Sequence, residues 1–137
     1  MFILYRPISD LVLLQKLWLN RNNILVIDPL RKITKLEVLG LFNNEILNER
    51  KSLEVLETLT NLKELSIDGN PASSNVRFKY ELTMRLKKLE LLDDDAVKDL
   101  DREIAEQFFL QNKSNPLLLF TLLVPFPGTS SLKKANE

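Results

Sequence analysis

Residues 14–30 read LQKLWLNRNNILVIDPL, and their spacing decides the fold. Leu14, Leu17, Leu19, Asn22, Ile24, Ile27 and Leu30 fill every marked place of the pattern L-x-x-L-x-L-x-x-N-x-I-x-x-I-x-x-L. Moved along by 22 residues, the same pattern finds Leu36, Leu39, Leu41, Asn44 and Ile46, then fails at Glu49 and Ser52. Moved by a further 26, it finds Leu62, Leu65, Ile67 and Asn70, so four extra residues sit in the loop near Glu49–Ser52. A leucine pair two apart, followed three residues later by asparagine, has no 3.6-residue logic, so helical amphipathicity does not generate it. Recurrence at one long period marks a stack of similar coils.

Each residue type in the coil has a physical reason. The L-x-L pair predicts a short strand whose alternate side chains enter the core. Asparagine then bends the chain, because its amide both donates to and accepts from backbone groups that a bend leaves unpaired. Stacking places Asn22, Asn44 and Asn70 in one column, an asparagine ladder. In the second coil the return path predicts a helical turn capped by Ser52, with Glu54 near its positive end and Leu53, Leu56 and Leu59 inside.

Composition narrows the chemistry. The 137 residues are 45% hydrophobic and 28% charged, the mixture of one globular domain. Lysine plus arginine equals aspartate plus glutamate at 19 each, so the chain gives no global support for binding phosphate backbones. Cysteine and histidine are both absent, which removes thiolate nucleophiles, disulfides, imidazole catalysis and nearly all zinc sites. Three glycines make no phosphate loop of the usual kind. The expectation is a protein that catalyses nothing and holds no cofactor and no metal. The N-terminus lacks a basic leader, and the most apolar run, Leu117–Val124, is too short to cross a bilayer as a helix. The reading is therefore soluble and cytoplasmic, with no membrane and no nucleic acid among the partners.

The end of the repeat series carries a resemblance. Asp68-Gly69-Asn70-Pro71, Tyr80, then Leu86-Lys87-Lys88-Leu89-Glu90-Leu91-Leu92-Asp93 and Val97 resemble the C-terminal cap of 22-residue leucine-rich-repeat proteins, with Lys87 in place of the usual proline. That class includes the regulatory subunit of protein phosphatase 1, an axonemal dynein light chain and many ciliary and centrosomal proteins. The resemblance implies an α/β leucine-rich-repeat solenoid with a short parallel concave sheet and a C-terminal capping helix. It also implies a protein partner, membership of a larger assembly, and a cytoskeletal or ciliary setting. An enzyme's regulatory subunit, of a phosphatase or a tubulin-modifying complex, is the alternative, and a spliceosomal role follows from a nuclear member of the class.

Three segments are expected: a solenoid over 1–92, a cap helix over 93–112, and an apolar, proline-flanked arm with a polar tail over 113–137. In the cap, Ala96, Val97, Leu100, Ile104 and Phe108 recur at helical spacing, with Lys98, Asp101, Arg102 and Glu106 on other faces. Asp93, Asp94 and Asp95 are read as charges at the positive end of that helix rather than as a metal site. Phe2, Tyr5, Pro7 and Ile8 precede Ile24, Ile27, Pro29 and Leu30 by 22 residues each, so the chain starts in mid-coil. That start suggests a portion of a longer repeat protein, a shortened isoform, or an end covered by a partner. The Pro116–Pro127 arm is read as an extended segment that folds back on the domain, docks on a partner, or is an unrelated ending produced by alternative splicing.

Partner contact is expected on the concave face, between the buried leucines. Its columns are Trp18, Gly40, Ser66; Asn20, Phe42, Asp68; Lys16, Val38, Glu64; and Arg21, Asn43, Gly69. Trp18 and Phe42 form an apolar patch of the kind that dominates interfaces, and Gly40 leaves room for an incoming side chain. Glu64 and Asp68 make the third coil acidic, which suits a partner with a basic residue beside an apolar anchor.

Overall fold

In the second coil, Asn48 rather than Ser52 starts the helix: its side chain accepts a hydrogen bond from Lys51 N at 2.9 Å. Helix α1 therefore spans Glu49–Thr58, Glu49 sits in the first turn, and Ser52 is buried within it. Four additional residues lengthen the return path enough for a helix, whereas the first coil returns through a 3-10 turn at Asp28–Lys32. The third coil returns through a 3-10 turn at Pro71–Ser74 and helix α2, Val76–Arg85, capped by Asn75. The computed structural model describes residues 11–114. The mid-coil start at residues 1–10 and the 116–127 arm lie outside the described residues.

Strands β1 (Lys16–Trp18), β2 (Val38–Gly40), β3 (Glu64–Ser66) and β4 (Leu91–Leu92) stack in parallel, in sequence order. Leu17 pairs with Leu39, Leu39 with Leu65 and Leu65 with Leu92, which reproduces the register of the repeat. Ile24, Ile27, Leu30, Leu36, Leu39, Leu41, Ile46, Leu62, Leu65 and Ile67 are buried in one continuous core. Leu14, Leu17 and Leu19, in the first described coil, are only partly buried.

The cap departs from its expected form. The chain does not begin a helix at Asp93: Asp93 and Asp94 adopt φ of 50° and 68° in a tight turn, and β5 (Asp95–Ala96) runs back antiparallel to β4. Aspartate tolerates the left-handed region better than most residues, so the acidic run makes a hairpin instead of a helix start. Helix α3 follows at Asp99–Ser114, and the Asp101 carboxylate accepts from Lys98 N at 2.8 Å to cap it. That bond explains why Asp101, expected on a solvent face, is buried. Leu100, expected to pack inward, is 62% exposed, and Ala96 is exposed as well. Tyr80 of α2 stacks on Phe108 of α3 with ring centroids 4.5 Å apart.

Arg102, also expected on an outer face, joins the two helices. Its guanidinium donates to the carbonyls of Thr83, Leu86 (3.2 Å), Lys87 (3.2 Å) and Leu89 (2.8 Å). Thr83 is in the last turn of α2, Leu86 is its C-cap, and Lys87 and Leu89 follow the helix, so one side chain gathers the carbonyls where α2 ends.

Candidate protein-binding face

The middle residues of the three full strands face the core, Leu39 and Leu65 buried and Leu17 partly so, while the flanking Lys16, Trp18, Val38, Glu64 and Ser66 keep some exposure and Gly40 is buried. The sequence-predicted columns are thus placed side by side by the register Lys16–Val38–Glu64 and Trp18–Gly40–Ser66. Trp18 is 63% exposed and Phe42 36% exposed, so neither aromatic serves as core.

Below them the asparagine ladder holds the coil bends. Asn44 Nδ2 donates to Leu41 O (2.9 Å) in its own coil and to Leu19 O (3.0 Å) in the preceding one. Its Oδ1 accepts from Asn22 N (3.1 Å) and Ile24 N (3.2 Å). Asn70 repeats the arrangement, donating to Leu41 and Ile67 carbonyls at 2.8 Å and accepting from Ile46 N at 3.1 Å. Asn22 donates to Leu19 O at 2.9 Å within its own coil. Arg21, Asn43 and Gly69 form a column of left-handed residues, with φ of 59°, 56° and 79°.

Two features change the expected chemistry of the face. The space over Gly40 is not open: a Cβ there would meet the Asn20 side-chain amide at 2.8–3.1 Å. Asn20 Oδ1 accepts from Phe42 N at 2.8 Å, which fixes the amide across the floor beside the exposed rings of Trp18 and Phe42. The third coil is also less acidic than its sequence suggests. Lys79, in the first turn of α2, pairs with Asp68 and stands 2.8 Å from Asp93 Oδ2. Asp93 Oδ1 accepts from Ile67 N (2.7 Å) and Asp68 N (2.9 Å), so this carboxylate ties the cap hairpin to the third coil. Burial alone would lower the Lys79 pKa, but its hydrogen bonds and the charges of Asp68 and Asp93 outweigh burial and raise it.

Sequence reasoning missed Asn20 as a floor residue, missed Lys79 altogether, and placed Arg102 on an outer face without its role at the end of α2. Glu64 keeps its charge to itself: among the described residues neither Glu64 nor Lys16 is in an ion pair. No group of three or more metal-ligating side chains converges among the described residues, and no helix there is long and apolar enough to cross a membrane.

Parallel strands, an asparagine ladder and a hairpin-plus-helix cap define an α/β repeat solenoid, the class to which the geometry assigns this molecule. The chain belongs to the leucine-rich-repeat family, whose model matches residues 7–119. Dynein axonemal assembly factor 1 of Rattus norvegicus is 40% identical over 81 residues, covering 58% of this chain and 13% of that protein. The Homo sapiens protein of the same name is 36% identical over 81 residues. U2 small nuclear ribonucleoprotein A' of Candida albicans is 30% identical over 102 residues, covering 73% of this chain and 43% of that protein. This chain thus spans about an eighth of the length of the assembly factor and under half of the ribonucleoprotein. Among solved structures, the Drosophila melanogaster SNF/U2A' complex matches with a TM-score of 0.66 at 29% identity, covering 77% of this chain and 61% of that one.

Proposed function

We propose that this domain is a non-catalytic interaction module whose concave face binds a protein partner. The observation that carries the reading is the pair of exposed aromatic rings, Trp18 and Phe42, on a rigid sheet. Large aromatics on a fixed scaffold bury apolar area with little loss of conformational freedom, which is why they anchor interfaces. Lys16, Asn20, Arg21, Val38, Glu64 and Ser66 surround them, with the paired Asp68 at the edge.

The likeness to dynein axonemal assembly factor 1 supports a cytoplasmic role in a cytoskeletal or ciliary assembly. A second reading, a protein subunit of a nuclear ribonucleoprotein, is supported by the likeness to U2 small nuclear ribonucleoprotein A' and by the match to the SNF/U2A' complex. Affinity purification with the chain and a Trp18→Ala/Phe42→Ala double variant, folded alike by circular dichroism, tests both. Loss of a specific set of proteins with the variant establishes the face, and their identities choose between the settings. Retention of the same proteins places recognition elsewhere on the chain.

A further inference from the structure

The row Lys16–Val38–Glu64 crosses the concave face with a positive group at one end, an aliphatic group in the middle and a negative group at the other. Because Lys79 neutralises the neighbouring Asp68, Glu64 carries the acidic end of this row without reinforcement. Trp18 and Phe42 both lie on one side of this row, Trp18 two residues past Lys16 and Phe42 four past Val38.

The spacing selects a partner geometry. Lys16 and Glu64 are two strand intervals apart, about 9.6 Å. Residues seven apart on an α-helix share a face and lie about 10.5 Å apart, with the i+3 and i+4 positions between them. Same-face residues of an extended peptide lie about 6.8 or 13.6 Å apart and miss the row at one end. We propose that the face selects an amphipathic helix with an acidic and a basic residue seven positions apart, the acid over Lys16, the base over Glu64, and an aliphatic residue between them over Val38. This rests on the concave-face reading given above and adds the partner's chemistry to it.

The test uses the full chain and four synthetic helices sharing one apolar face. At the two spaced positions they carry acid and base, two acids, two bases, or two glutamines. Fluorescence anisotropy should rank the acid–base helix tightest, by about two- to five-fold over the glutamine helix at low salt, with the gap closing as salt rises. Lys16→Glu should remove that preference and favour the two-base helix, while Glu64→Lys should favour the two-acid helix. Equal binding of all four helices, abolished by Trp18→Ala, overturns the charged row and leaves the aromatic face standing. Equal binding untouched by Trp18→Ala overturns both. Binding of none overturns the helix inference, while the affinity purification still judges the face.

Discussion

Asn44 shows how much one side chain carries in this architecture. Its amide satisfies two backbone N–H groups and two carbonyls from adjacent coils, at a site almost closed to water. Truncation would leave those groups buried without partners, at about 1–3 kcal/mol for each group that water fails to reach. Asn44→Ala is therefore expected to destabilise the domain by about 3 kcal/mol or more in urea denaturation. Asn22 has the same place in its coil but is half-buried, so water can replace its bonds. Asn22→Ala should cost about 1 kcal/mol or less. Equal losses at the two sites would show that burial does not govern the ladder. Gly69 belongs to the same bend: at φ 79° a Cβ is strained, and it would meet Asn43 as well.

At the scale of elements, Arg102 joins α3 to the end of α2 and the segment that follows it through four carbonyls. Arg102→Ala would uncap α2 and loosen the stacked Tyr80–Phe108 contact behind it. The expected loss is about 2–3 kcal/mol, with faster amide exchange confined to α3 and the last turn of α2. Arg102→Lys should rescue only part of it, because one ammonium cannot span a fork of carbonyls. Exchange that accelerates uniformly across β1–β3 would show instead that α3 is no separate unit. The elements also show where the sequence was legible. Strand positions, the ladder and the inward leucines recur at a fixed period, and stacking converts that period directly into register. Arg102, Lys79 and Asn20 have no counterpart one coil away, so no period announces them. Ser52 looked like a helix cap because the four extra residues hid the true start at Asn48. The acidic run at 93–95 suits a helix start and a left-handed turn equally, and only the pairing of β4 with β5 decides.

The whole molecule responds to pH through α2, which links the solenoid core to the cap. Tyr80 is fully buried there, and burial pushes its phenol up to about 12 from an ordinary 10. Lys79, one residue away, is also raised. Both groups bind their protons more tightly folded than unfolded. Their contribution is present in full below the unfolded values and declines as pH climbs above about 10 towards the folded ones. For Tyr80 the stake is on the order of 2 kcal/mol across that window. Urea midpoints measured between pH 9 and 11.5 should fall more steeply for the native chain than for Tyr80→Phe, which keeps the ring on Phe108 and removes the ionisable hydroxyl. The comparison concerns slopes, so a constant offset from the lost hydroxyl does not enter. Parallel slopes would mean that Tyr80 ionises as readily in the folded protein as in the unfolded one. That requires water at the α2–α3 contact, and the cap would then be a layer that opens rather than a sealed end of the core.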